Sequence, residues 1–204
     1  MNKFIVFLPL VLTFPTLVQA NPGPSVDITT LDIAGVKIGM SADQATAALI
    51  DTYGVNAADI KVTTVDDPDV GKEIVKSITL SSPDAEMGYT ASSTVAKGWK
   101  IFVGFVPMVP FNGESVQATR IDYEVARSPE NAEALAQAAT EKYGEPSAQR
   151  PGQHSWCETP DRYGNCNSDA YLQIQRTQMV LADTRINHQV AKAREAARSV
   201  KPKI

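Results

Sequence analysis

Trp99-Lys-Ile-Phe-Val-Gly-Phe-Val106, followed by Pro107, Pro110, the pair Asn112-Gly113 and then Val116 to Val125, is the stretch that sets the fold class. In an extended chain Ile101, Val103 and Phe105 point one way and Phe102 and Val106 the other. Such a strand needs cover on both sides, as a central strand has. The prolines end it. Asn-Gly between two strands is a strong turn signal, and Arg120 to Val125 alternates with Ile121, Tyr123 and Val125 on one face. An antiparallel hairpin is expected, at the middle of a sheet.

Working outward, the period of two recurs in Ile60 to Val65 and Ile74 to Leu80, with the acidic turn Asp66 to Gly71 between them. It returns in Tyr171 to Arg176 and Met179 to Ala182. Leu31, Ile33, Val36 and Ile38 read as a short strand or extended entry. Helical signals separate these runs. Ser41-Ala-Asp-Gln44 is a capping box, and Gly54 supplies a left-handed stop, so residues 41 to 54 form a helix. Ser128-Pro129-Glu130 opens a second helix that Gly144-Glu-Pro146 ends. A third runs from about Thr184 to Ser199, with apolar residues at spacings of three and four. Both earlier helices end in Tyr-Gly, which raises an internal repeat that the differing lengths leave open. The expected fold class is α+β: a single domain, residues 31–204, with an antiparallel sheet of some six strands and two to three helices packed on one face.

Residues 1–20 read as a secretory signal peptide: Lys3, an apolar stretch, and Val18-Gln19-Ala20 ahead of Asn21. The stretch is short for a membrane span and no later segment is apolar enough, so no transmembrane segment is expected in the mature chain. Residues 21–30 are expected to be an extended, loosely held lead-in. The protein is therefore expected to be periplasmic or secreted, and soluble after signal removal. In an oxidising compartment the two cysteines, Cys157 and Cys166, flank a turn-forming spacer and are expected to form a disulfide. A redox pair would instead show Cys-x-x-Cys at a helix start. The chain carries a net charge of −4, yet residues 184–204 hold six basic residues and one acid. Basic residues late in a helix complement its dipole, and no nucleic-acid partner is expected.

Candidate chemistry is sparse. Catalytic sites bring acids, bases or nucleophiles together from separate segments, and the chain has two histidines, His154 and His188, in unlike contexts. The acidic run Asp66-Asp67-Pro68-Asp69-Val70-Gly71 fails the EF-hand pattern, its glycine falling one position early and Ile78 standing at the closing glutamate position. Asn165, Asn167 and Asp169 have Ala170 where a glycine is required. No Gly-x-Ser-x-Gly elbow, Walker loop or His-Glu-x-x-His is present. No cofactor, metal site or catalytic residue is assigned. The candidate interaction surface is the apolar turn after the central strand, where Met108, Val109 and Phe111 can project as a protein-binding tip.

Gly35-Val-Lys-Ile-Gly-Met-Ser41 with Gln44 and Ala45 resembles the opening motif of small bacterial envelope proteins of the SmpA/OmlA (BamE-like) group, whose fold resembles β-lactamase inhibitory protein. Ile121-Asp-Tyr123, Glu141 to Ser147, Trp156-Cys157 and Cys166 look like a wider set of uncharacterised periplasmic proteins. The resemblance implies a helix-and-sheet scaffold that binds other proteins. The chain departs from the lipoprotein members in having no anchoring cysteine after residue 20. The resulting expectation is a non-enzymatic protein-binding module of the cell envelope with an envelope protein as partner. The alternatives are an enzyme of unrecognised class and an inhibitor of an exported hydrolase.

Overall fold

Among the described residues, ten strands and three α-helices follow one another in an order that nearly repeats. The computed structural model describes residues 23–88, 95–111, 115–161, 165–166 and 169–200. Residues 1–20, expected as a signal peptide, the Asn112-Gly113 pair, expected as a turn, and Asn167 lie outside the described residues. The first half holds α1 (Ala42–Tyr53), β1 (Lys61–Asp67), β2 (Lys72–Ser81), β3 (Glu86–Met87), β4 (Val95–Lys97), β5 (Trp99–Pro107) and β6 (Val116–Val125). The second holds α2 (Pro129–Tyr143), β7 (Ala148–Arg150), β8 (Gln153–Cys157), β9 (Ala170–Gln175), β10 (Gln178–Asp183) and α3 (Thr184–Val200).

The main sheet is antiparallel and eight-stranded, in the order β1-β2-β5-β6-β10-β9-β8-β7, while β3 and β4 form a separate ribbon. Leaving that ribbon aside, each half is a helix followed by four strands, and the second half enters the sheet in mirror order with β6 against β10. The topology repeats even though the sequence halves do not visibly match.

Cross-strand pairing sorts side chains by face, because successive residues of a strand point to opposite sides. One line runs Val103, Ile121, Leu181, Leu172, Trp156 across β5, β6, β10, β9 and β8. All five are buried in one hydrophobic cluster, to which α1 contributes Ala45 and Leu49 and α2 contributes Leu135 and Ala139. On the opposite face the register aligns Lys100, Glu124, Gln178, Gln175, Gln153 and Arg150 on six successive strands from β5 to β7. No residue of that line is apolar. Val180, Ala182 and the α3 residue Val190 are buried outside the main cluster.

The helix ends behave as their sequences dictate. Ser41 accepts the Gln44 amide N–H while Gln44 Oε1 accepts the Ser41 N–H. Gly54 adopts φ 63° and donates to the Ile50 carbonyl. Three regions differ from expectation. Residues 33–36 make a bridged turn, Ile33 with Val36, in place of a strand of the sheet. The lead-in is tied down: Val26 donates to the Cys157 carbonyl at 2.9 Å and Ile28 is buried, because apolar residues there find a place in the core. β7 and β8 form a hairpin through Pro151-Gly152 in a segment whose polar sequence carried no strand signal.

Candidate functional site

The expected interaction surface lies at the end of the β5–β6 hairpin. β5 is a central strand, with Ile101 and Val103 fully buried. Beyond Pro107 the chain leaves the sheet, and the Met108 N–H closes the hairpin on the Ser115 carbonyl at 2.9 Å. Met108 and Val109 are each 44% exposed, Phe111 is half-buried, and the Val109–Pro110 peptide is cis. Two adjacent large apolar side chains are thus held partly in solvent at the end of a hairpin whose strands reach the core.

The histidines do not converge. His154 lies on β8 and is half-buried, its Nε2 2.9 Å from the Gln149 amide nitrogen. It faces a shallow surface with Glu133, Glu141 and Glu145, where the one hydroxyl among the lining residues, that of Thr140, donates to the Ala136 carbonyl. His188 is exposed on α3. Cys157 and Cys166 are bonded, with S–S 2.08 Å. Asp67 and Asp69, read from sequence as part of an acidic turn, meet the basic helix: Arg194 Nη2 pairs with Asp67, and its Nε lies 3.2 Å from Asp69 Oδ2, a charge contact without hydrogen-bond alignment. Arg185 forks onto Asp183 and Glu158. Three arginines of the basic C-terminal segment, Arg198 included, therefore face acids of this chain.

Two concavities were not legible in the sequence. Between α1 and α2 a crevice of about 180 Å³ is lined by Tyr53, Tyr123, Ala139, Tyr143 and Met179. The Tyr53 ring stacks on Trp99 at 4.3 Å, with Tyr123 6.3 Å beyond. Burial, with Tyr123 beside it, pushes the Tyr53 hydroxyl up to about 12. At the rim Lys142 Nζ lies 2.7 Å from Asp32 Oδ2, and the Tyr143 hydroxyl donates to the Asp32 carbonyl at 2.5 Å. Partial burial alone would raise the Asp32 carboxyl, but the Lys142 ammonium and the Gly35 N–H outweigh it and hold it below the usual carboxylate range.

The second concavity, of about 340 Å³, lies on the polar face and is lined by Lys100, Phe102, Arg120, Asp122, Glu124 and Gln178. These residues come from three neighbouring strands. Arg120 grips Asp122 through Nε at 2.7 Å and Nη2 at 2.6 Å, and the Gln178 amide donates to Asp122 Oδ1 at 3.2 Å. Glu124 Oε1 accepts the Val95 N–H of β4 at 3.2 Å. The Phe102 ring lies across Gly104, where a Cβ would come within 3.2 Å of the ring edge and would press on the ring. Lys100 has no ion-pair or side-chain hydrogen-bond partner among the described residues. Alternation gave each of these residues a face, but which ones meet depends on register across β5, β6 and β10.

No family model, no curated protein and no solved structure matches this chain.

Proposed function

We propose that the protein is an exported, non-enzymatic binding module of the cell envelope, acting in the periplasm or outside the cell. In this reading α1 and α2 cover one face of the sheet as a rigid scaffold, and the β5–β6 tip engages another envelope protein. The observation that carries it is the tip itself: Met108 and Val109, each 44% exposed, side by side on a hairpin anchored in the core. Interface energy concentrates in a few apolar or aromatic anchors of this kind. A disulfide-bonded cysteine pair supports an oxidising compartment, and no helix among the described residues is long and apolar enough to cross a membrane. The SmpA/OmlA-like opening motif points the same way, toward a scaffold that binds other proteins.

The test is site-specific photo-crosslinking in cells exporting the protein, with the reactive group at position 108 and, as control, at exposed Lys192. One recurrent envelope protein crosslinked from 108 and not from 192 supports the reading; equal or absent crosslinking overturns it. The double change His154→Gln and His188→Gln should leave that crosslink unchanged. A histidine base would instead cost an enzyme about 10²–10⁴-fold in rate when removed.

A further inference from the structure

The polar cleft differs from an ordinary solvated sheet face in which of its hydrogen-bonding sites are left over. Asp122 spends three acceptor sites on Arg120 and Gln178, which fix its plane. Glu124 is held through one oxygen by Val95, and its other oxygen is unused among the described residues. Gln178 offers its carbonyl oxygen. Lys100 offers all three ammonium protons. Acceptors and donors therefore stand side by side around the Phe102 ring, with two cations balancing two carboxylates.

Each simple ligand class makes a different demand of such a set. An anion wants donors alone and would meet Asp122 and Glu124; a cation wants acceptors alone and would meet Lys100 and Arg120. An added β-strand has nothing to pair with, because the backbone groups of β5, β6 and β10 are already spent in the ladder. A hydroxyl both donates and accepts. A ring bearing several hydroxyls, with one C–H face to lay on Phe102, uses every unspent group. The volume of about 340 Å³ falls within the ~300–1,000 Å³ of small-molecule sites. The cleft is not isolated either. From Glu124 the polar line continues through Gln178, Gln175 and Gln153 to Arg150. At ~4.8 Å between strands, the six positions from Lys100 to Arg150 span about 24 Å.

We propose that this face binds an uncharged carbohydrate chain, one sugar ring seated over Phe102 among Lys100, Asp122, Glu124 and Gln178 and the next units running across the glutamine line. The site is separate from the β5–β6 tip, so the two readings stand or fall independently.

The experiment titrates the 15N-labelled, disulfide-bonded mature protein with chitohexaose, with maltohexaose and with a sulfated heparin hexasaccharide. The expected result is saturable amide shifts in β5, β6 and β10 with at least one neutral hexasaccharide, at a Kd of about 1 mM or tighter. Lys100→Ala with Gln178→Ala should weaken that binding at least tenfold, a loss of about 1.4 kcal/mol or more, at an unchanged melting temperature. Met108→Ser should leave it as it was. Absence of shifts with both neutral sugars overturns the proposal, as do shifts confined to other strands or binding of the sulfated chain alone. If the double variant fails to fold, the shift map on the unaltered protein still decides.

Discussion

Leu172 and Gln173 are neighbours on β9, yet one lies in a continuous apolar line across five strands and the other on the opposite, polar side. The difference separates two tasks within one sheet. The apolar face shares one buried cluster with residues of α1, α2 and the lead-in. The polar face keeps amides, carboxylates and cations aligned over most of its width, where a strand needs only half of its side chains for the core.

The sharpest way to break that comparison is to truncate both neighbours. Leu172→Ala should destabilise by about 2–5 kcal/mol through a cavity in the main cluster. Gln173→Ala should stay within about 0.5 kcal/mol. Urea midpoints for the two variants check this, and similar losses at both positions would mean that the polar face is also core.

Cys157 sits next to Trp156 and points away from the apolar line. Closing a loop of about ten residues contributes roughly 2.5–3 kcal/mol in the chain-entropy model, so paired Cys157→Ser and Cys166→Ser changes should cost that much in the denaturant midpoint. A negligible loss would leave the apolar face as the sole source of stability.

Arg194→Ala tests the side of the sheet that α3 serves. Asp67 is 6% exposed and would lose the guanidinium, keeping the Asp69 and Val70 N–H donors on its other oxygen. The expected cost is about 1–3 kcal/mol, between that of exposed and buried pairs. It should shrink in high salt if the pair acts mainly through charge. Ser41→Ala sharpens the helical side: loss of the α1 cap should cost about 0.5–2 kcal/mol, read from thermal or urea unfolding.

The smallest effect is set by pH. Because the folded Asp32 carboxyl titrates below its unfolded value, its contribution is present above the unfolded pKa of ~3.9 and is lost as pH falls through the lower folded value. Urea midpoints between about pH 6 and pH 3 should therefore fall less steeply for Asp32→Asn than for the unaltered protein. Identical slopes would mean that the Lys142 pair contributes nothing to folding.

Much of this layout could be read from local pattern. The alternation in 74–80, 99–106, 116–125 and 171–182 marks strands that the core requires, and the Ser41 box and Gly54 bound α1 closely. β3, β4 and β7 were illegible because runs of two or three residues are too short to show a period; they exist by pairing with neighbours. The tip residues could be named because prolines end β5. The cleft could not: Lys100, Asp122 and Gln178 meet only through register, which links positions far apart in the chain. Nor could the acidic turn at 66–69 be matched to the basic helix, since nothing local says that Asp67 faces Arg194.

That last pairing has a bearing on how the chain comes to its final form. Asp67 and Arg194 are separated by 127 residues, and β10 passes into α3 without an intervening loop. The first strand is therefore clasped by the last helix, and this contact cannot form until nearly all of the polypeptide is on the same side of any barrier it crosses. Contacts of such sequence separation slow folding. The edge strand is thus fastened late, only once the C-terminal helix has formed and docked.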